Sequence, residues 1–290
     1  MSAPSAAAPT PQAITDRMRA GWNWSATNYA SMISVSGYAN PINDIIIKTL
    51  REKHGDTPFS LLDVASAYGE PSLTLAKAFP HGKFTSTDLA DANCKIGPAQ
   101  AASRGVTNIT YESADGQALP YPDQSFDVVT CCMGLMFMPE HKKALSEFRR
   151  VLKPGGTLLT TTWGPQDRCQ HVRVMSVVVA ALGFPSSPLD PCKFGTGEAL
   201  ASDMAAAGFR GAAPQVVVTQ VHMPAEYAMS LLMGSPVGAA IEARRAAGES
   251  DILERADKEL RAAFDQFQLW NADGSVTFKD LAAVLISASA

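Results

Sequence analysis

Short apolar runs alternate with amphipathic stretches through about residue 165 of the chain. The run Phe126–Cys132 is apolar at nearly every position, which is typical of a strand buried on both faces of a parallel sheet. In Glu140–Leu152 the apolar residues instead recur at helical spacing. The pattern predicts strands at Leu61–Ala65, Lys83–Leu89, Thr107–Glu112, Phe126–Cys132 and Thr157–Trp163. It predicts helices between them at Pro71–Phe79, Cys94–Arg104 and Glu140–Leu152.

Regular alternation of strand and helix favours an α/β fold, in which helices cover both faces of a parallel sheet. The second half is less regular, and its short apolar run Ala283–Ser287 is interpreted as a last strand of the sheet. We therefore predict a Rossmann-like, doubly wound sheet of about seven strands, mostly parallel with an antiparallel edge strand, plus a helical cap. The remaining predicted elements are helices at Gln170–Leu182 and Glu198–Ala207, a strand at Val216–Val221, and a mostly helical stretch over Pro224–Phe267.

The same pattern divides the chain into segments. Residues 1–13 are predicted to be a disordered tail, residues 14–58 a helical lid, and residues 59–222 the Rossmann-like core. Residues 223–272 are predicted to form a helical cap, and residues 273–290 the strand that completes the sheet. In such sheets ligands bind beyond the carboxyl ends of the strands, so a site is expected in the residues that follow the first four strands.

Composition and charge exclude several classes of protein. Hydrophobic residues make up 46% of the 290 residues, and the formal net charge of -4 gives no electrostatic footprint for nucleic acid. The apolar runs are well short of the ~20 residues that a membrane span requires. The five cysteines lack C-x-x-C spacing, so neither a disulfide framework nor a metal site is expected. We expect a cytoplasmic monomer or homodimer with a small-molecule partner, no nucleic-acid partner and no membrane span.

The segment Leu61–Glu70 carries the strongest functional indication. It has the pattern of a buried strand that runs directly into a tight turn at the start of a helix. The next apolar strand ends at an acidic residue, Asp88, roughly twenty residues later. A nucleotide-binding βαβ unit places the acid that binds the ribose at this offset. The first half of the chain is therefore predicted to hold an adenosine-containing cofactor.

Three segments together resemble the class I S-adenosylmethionine (SAM)-dependent methyltransferases. They read L-L-D-V-A-S-A-Y-G-E-P at residues 61–71, A-D-G-Q-A-L-P-Y-P-D-Q-S-F-D-V-V-T at residues 114–130, and F-R-R-V-L-K-P-G-G at residues 148–156. The run G-L-M-F-M-P at residues 134–139 is similar to the small-molecule group around the ubiquinone/menaquinone C-methyltransferases. The resemblance implies SAM as cofactor, S-adenosylhomocysteine as product, and a small organic acceptor.

The resemblance also implies roles for individual residues. Asp63 would organise the loop around the amino-acid part of the cofactor, and Asp88, followed by Leu89, would accept from both ribose hydroxyls. Cys132 and Met133 would face the methionine part. Asp115 would accept from the adenine amino group, with Gly116 and Gln117 beside the ring. The three family glycines fall on Ala65, Ala67 and Gly69, so two of them are alanine here. Each added methyl disfavours the backbone conformation that glycine adopts and occupies space where the backbone should approach the ligand.

Methyl transfer from a sulfonium is an in-line displacement that depends on positioning and on exclusion of water. A general base assists where the acceptor carries an acidic proton. The candidates are His141 and His171, each at a predicted helix start, and Tyr29 and Tyr38 in the segment that folds over the cofactor in relatives. A histidine at a helix start is also commonly a solvated surface residue. An aromatic wall near the sulfonium or the acceptor has four candidates, and core packing explains them equally well: Trp22, Trp24, Phe137 and Trp163.

Two other functions compete with methyl transfer. An NAD-type oxidoreductase shares the βαβ unit and the acidic residue, but the turn after the first strand lacks G-x-G-x-x-G. A non-catalytic SAM-binding or scaffold protein is motivated by Ala65 and Ala67 and by the absence of an obvious base. The sequence does not choose among oxygen, nitrogen, carbon and sulfur as the acceptor atom.

Overall fold

Residues 8–36 and 40–290, which this computed structural model describes, form a seven-stranded sheet flanked by helices. The strand order is β3-β2-β1-β4-β5-β7-β6, and β1 to β5 are parallel. The predicted antiparallel strand is β7, which lies one place inside the edge because β6 pairs with its outer side. The strands are β1 (Ser60–Val64), β2 (Lys83–Asp88), β3 (Ile109–Ser113), β4 (Phe126–Cys132), β5 (Leu152–Trp163), β6 (Arg210–Met223) and β7 (Val276–Ser289).

The helices follow the predicted alternation in the first half and form the cap in the second. They are α1 (Pro11–Ser36), α2 (Asn40–His54), α3 (Ser72–Ala78), α4 (Asp91–Ser103), α5 (His141–Val151), α6 (Gln170–Ala181), α7 (Glu198–Ala206), α8 (Ser230–Met233), α9 (Pro236–Ala246) and α10 (Ile252–Gln266). No helix within the described ranges is long and apolar enough to cross a membrane.

Consecutive residues of the central strands pack into different layers of core. In β1, Leu61 lies in the cluster with α2 and α3, whereas Leu62 lies in the cluster with α5. Val128 and Val129 of β4 divide in the same way. Each of these side chains is fully buried, and burial of one such side chain stabilises the fold by about 1.5–3 kcal/mol. The near-continuous apolar runs of the sequence thus correspond to strands that have helices on both faces.

Some boundaries differ from those predicted. Helix α1 begins at Pro11, inside the segment 1–13 predicted to be disordered, and residues 1–7 lie outside the described ranges. The two apolar stretches of the C-terminal segment are a single strand, β7, which continues through the polar pair Lys279–Asp280. The β6–β7 register shifts there, and Gln170 Oε1 accepts from both backbone N–H groups of the pair, at 2.7 and 3.2 Å. The side chain of Gln170 replaces the missing ladder bonds, so the strand is not interrupted.

Candidate active site

The loop after β1 adopts a left-handed backbone at the positions of the family glycines. Ala65 has φ 58° and Ala67 has φ 51°, while Gly69 has φ 118°. An L-residue in the left-handed region costs roughly 1–2 kcal/mol, which only surrounding contacts can offset. The loop therefore has the shape that glycines would give it, although two of the three positions carry a methyl group.

Asp63 ties this loop to the sheet. Its Oδ2 accepts from the backbone N–H and hydroxyl of Ser72, at 3.1 and 2.6 Å, and its Oδ1 accepts from the Thr130 hydroxyl at 2.6 Å. The side chain is fully buried. Burial raises the pKa of Asp63 to about 7, although the hydrogen bonds from Ser72 and Thr130 act in the opposite direction. The predicted organising role of Asp63 thus has a physical basis in its links to the start of α3 and to β4.

Asp88 closes the loop from the other side. Its Oδ2 accepts from the backbone N–H of Ala67 at 2.8 Å, and its Oδ1 accepts from the backbone N–H of Ala90 at 2.8 Å and from Asn93 Nδ2 at 3.2 Å. Burial raises the pKa of Asp88. The half-buried Leu89 follows it. The acid at the end of β2 and the loop after β1 therefore form one unit.

The loop between β3 and β4 is held by Gln117. Its Nε2 donates to Asp115 Oδ1 at 3.1 Å and to the Thr15 hydroxyl of α1 at 3.3 Å, and its Oε1 accepts from the backbone N–H of Glu140 at 2.8 Å. A Cβ at Gly116 would approach Met138 Cε to 2.8 Å, so this position is packed closely. Gln117 thus joins the loop, the lid helix and the start of α5.

The end of β4 contributes a third left-handed residue. Met133 has φ 57°, and its backbone N–H donates to the carbonyl oxygen of Thr161 at 2.9 Å. The next residue is Gly134, where a Cβ would lie 2.5 Å from the Cβ of Ala65. The methyl group of Ala65 therefore fits only because position 134 has no side chain. Strained residues at the ends of β1 and β4 meet at one place, as is common at functional sites.

Helix α1, in the segment predicted to be a lid, lies beside these strand ends. Its Asn23 Oδ1 accepts from the backbone N–H of Ala92 in α4 at 2.9 Å, and the ring of Trp22 packs edge-on against Phe137 at 5.9 Å between centroids. A cleft lies between this lid, α2, the loop after β1 and the ends of β4 and β5. The side chains that line it include Tyr29, Ile33, Asn43, Tyr68, Glu70 and Cys132.

The structure places the two candidate histidines, His141 and His171, in different surroundings. His141 Nε2 lies 3.0 Å from Asp203 Oδ2 of α7, at the contact between α5 and α7 and outside the residues that line the cleft. His171, the second residue of α6, also lies outside the residues that line the cleft, and its ring is 4.1 Å from that of Trp163. Burial lowers the pKa of His171 to about 4. Tyr38 lies outside the described residues.

Some residues at the site were not found from the sequence. Asn93 binds Asp88, and its own Oδ1 is buried without a hydrogen-bond partner among the described residues. The hydroxyl of Ser25 in α1 is also buried, and it has no hydrogen-bond partner among the described residues. The guanidinium of Arg104 pairs with Glu70 immediately after the loop. No motif in the sequence marks these three residues, which are scattered polar positions in α1, in α4 and directly after α4.

The surroundings of Asp88 fit the ribose of an adenosine cofactor. A carboxylate oxygen accepts more than one hydrogen bond, so Asp88 retains acceptor capacity beside its protein partners. The unpartnered Oδ1 of Asn93 adds a second acceptor next to it. Ribose hydroxyls are donors, and a buried acceptor without a donor is costly. Among the residues described, no group of three or more His, Cys, Asp or Glu side chains could hold a metal ion.

Comparison with known proteins agrees with this geometry. A family model described as a methyltransferase domain matches residues 62–160. The demethylmenaquinone methyltransferase of Thermus thermophilus is 33% identical over 165 residues, which are 52% of this chain and 74% of that protein. An uncharacterised protein of Mycobacterium tuberculosis is 41% identical over 103 residues, which are 36% of each chain. The chain thus spans only about a third of that mycobacterial relative, and a second mycobacterial relative matches over 52% of its length.

Solved structures share the fold at low sequence identity. The YcgJ protein of Bacillus subtilis superposes with a TM-score of 0.57 at 20% identity, over 85% of this chain and 97% of that one. A phosphoethanolamine N-methyltransferase of Haemonchus contortus, solved with S-adenosylhomocysteine, gives a TM-score of 0.55 at 16% identity, over 97% of this chain and 60% of that one. These structures show the fold alone, whereas the family model and the Thermus relative show that the chain belongs to the SAM-dependent methyltransferases, with similarity to the ubiquinone/menaquinone C-methyltransferases.

Proposed function

We propose that this protein transfers the methyl group of SAM to a neutral small organic acceptor bound between the lid and the carboxyl ends of β4 and β5. The observation that carries the proposal is the joining of Asp88 to the left-handed Ala67 by a 2.8 Å hydrogen bond, beside a cleft that α1 covers. This hydrogen bond joins the two features with which the family binds its cofactor: the loop after β1 and the acid after β2.

The cofactor residues are proposed as follows. Asp88, with Asn93 beside it and Leu89 after it, would hold the ribose. The backbone of Ala65, Ala67 and Gly69, organised by Asp63, would surround the amino-acid part. Cys132 and Met133 would lie against the methionine chain. The adenine side would be formed by Asp115, Gly116 and Gln117.

The lining of the cleft supports a neutral acceptor. Tyr29, Ile33 and Asn43 present aromatic, apolar and amide groups from the lid and α2. The charged side chain in the lining is that of Glu70, and Arg104 neutralises it by an ion pair. An acceptor with a phosphate or carboxylate would find no cationic partner among the side chains that line this cleft.

The protein's part in the chemistry is positioning, exclusion of water and acceptance of a proton. The bound cofactor supplies an electrophilic methyl group. Helix α1 excludes water, which favours displacement by the acceptor. Neither histidine lines the cleft, and we propose His171 as the proton acceptor because its Nδ1 is buried without a partner among the described residues and its low pKa keeps it neutral at pH 7. His141 is the weaker candidate, since its ring is engaged by Asp203.

Methyl transfer from radiolabelled SAM to a panel of neutral phenols, quinols and amines tests the proposal, with phosphorylated and carboxylated analogues as controls. Transfer to a neutral acceptor that disappears in Asp88→Ala is the expected result. Tight SAM binding with no transfer to any panel member would favour the non-catalytic alternative. Preferential transfer to anionic analogues would contradict the proposed acceptor class.

A further inference from the structure

Two of the buried cysteines lie against each other outside the cleft. Cys169 and Cys192 are packed together in one small core cluster with Val172 and Ala282. Both are free thiols. The contact brings together residues that are 23 positions apart in the sequence, and neither residue lines the cleft.

Cys169 directly precedes α6 and Cys192 follows it, so the two thiols belong to different parts of the fold. Cys169 is anchored to the sheet, because it forms an isolated bridge with Leu281 and its Sγ donates to the carbonyl oxygen of Ala282 at 3.2 Å. Cys192 lies in the segment between α6 and α7, where its backbone N–H donates to Asp190 Oδ1 at 2.8 Å. A covalent bond between the sulfurs would fasten that segment to the sheet.

The segment that carries Cys192 also touches the candidate active site. Lys193 Nζ lies 3.4 Å from the carbonyl oxygen of Met138, and Phe194 packs edge-on against His141 at 5.2 Å between centroids. Met138 in turn contacts the space above Gly116 in the proposed adenine side. A disulfide would therefore restrain the residues that pack behind the proposed adenine side of the cleft.

We propose that Cys169 and Cys192 are a redox site that forms a reversible intramolecular disulfide in the folded protein. The oxidant is a low-molecular-weight disulfide, RSSR. One cysteine sulfur attacks RSSR and releases one RSH, and the second cysteine sulfur then displaces the other RS group as RSH. Two protein thiols are oxidised, one RSSR is reduced to two RSH, and both thiol protons leave with the two RSH molecules.

Accessibility and acidity favour different cysteines for the first attack, so we assign no order to the two steps. Cys192 is 7% exposed and Cys169 is 0% exposed, so a small disulfide reaches Cys192 more readily. The hydrogen bond between the thiols lowers the pKa of Cys169 and raises the pKa of Cys192, so Cys169 more readily supplies the attacking thiolate. Burial raises the pKa of Cys94, Cys131 and Cys132, which leaves less reactive thiolate at each of them.

Thiol counting by mass spectrometry tests the proposal on the full-length protein. Native protein is incubated with oxidised glutathione, cleared of reagent, denatured and alkylated with N-ethylmaleimide. Five adducts are expected before oxidation, one for each cysteine. Three are expected afterwards, five minus the two in the disulfide, and dithiothreitol should restore five. Peptide mapping should join the peptides of Cys169 and Cys192.

Matched variants keep the proposal falsifiable. The variants are oxidised and then alkylated without dithiothreitol. Cys192→Ser should retain all its remaining free thiols, whereas the control Cys94→Ser should still lose two free thiols. Because the mapping is performed on the wild-type chain, a variant that fails to fold does not affect the test. Five adducts after oxidation, a stable glutathione adduct, or a disulfide between other cysteines would overturn the proposal. Each of these outcomes is independent of whether the protein transfers methyl groups.

Discussion

The carboxylate of Asp88, at the end of β2, accepts a hydrogen bond from the backbone N–H of Ala67 at 2.8 Å. Ala67 has a left-handed backbone, φ 51°, which exposes that N–H toward β2. A hydrogen bond to a buried carboxylate contributes about 1.5–3 kcal/mol, comparable to the strain of one left-handed alanine. The acid and the strained loop therefore depend on each other, and substitutions at either position should affect both.

Replacement of Ala67 by glycine should stabilise the protein. The glycine removes the left-handed strain but makes the unfolded chain more flexible, so a net gain of about 0.5–1 kcal/mol is expected. Chemical denaturation measures the change. Ala262→Gly, at an exposed position within helix α10, is the control and should lose about 1 kcal/mol. SAM affinity should be unchanged or higher in Ala67→Gly. A marked loss of affinity would show that the methyl group contributes a useful contact.

Ala65 and Gly134 should be energetically coupled. A Cβ at position 134 would lie 2.5 Å from that of Ala65, so Gly134→Ala alone should destabilise the protein by roughly 1–3 kcal/mol. Ala65→Gly removes the opposing methyl group and should recover at least about 1 kcal/mol of this loss in the double variant. A double-mutant cycle by urea denaturation measures the coupling. Strict additivity of the two changes would mean that the loops do not meet as described.

The first five strands and the position of Asp88 were predictable because both are local patterns. Apolar runs such as Phe126–Cys132 reflect burial on two faces, and the offset to Asp88 reflects the length of one βαβ unit. The continuity of β7 was not predictable, since the side chain that bridges its irregularity, Gln170, is more than 100 residues away. The left-handed state of Ala65 was equally hidden, because the space for its methyl group is created by Gly134 on another strand.

Asp63 should make stability depend on pH. Its pKa is raised to about 7 by burial, above the ~4 of an unfolded chain. The stability contributed by neutral Asp63 is therefore fully present below pH 4 and is lost as the pH rises through 7. Relative to Asp63→Asn, the free energy of unfolding of the wild type should fall over this window, on the order of 1 kcal/mol per pKa unit. Asp44→Asn, at an exposed position, should leave the slope unchanged. An identical slope in Asp63→Asn would contradict the raised pKa.

Replacement of His171 by phenylalanine should separate catalysis from cofactor binding. The ring keeps its contact with Trp163, but the unpartnered Nδ1 that could accept a proton is lost. For an acceptor with an acidic proton, kcat should fall by roughly 100-fold while the Kd for SAM changes little. The control His141→Phe should retain most of kcat, since its imidazole is engaged by Asp203. Equal kcat values for the wild type and His171→Phe would remove His171 from the mechanism.

Calorimetric titration with SAM and S-adenosylhomocysteine, with NAD as the control ligand, tests the cofactor site most directly. The wild type should bind both SAM-type ligands with micromolar Kd and should not bind NAD. Asp88→Ala should weaken SAM binding by at least about tenfold, or 1.4 kcal/mol, because it removes both the proposed ribose acceptor and the support of Ala67. Wild-type protein that binds neither ligand, or Asp88→Ala protein that binds SAM as well as the wild type does, would contradict the proposed site.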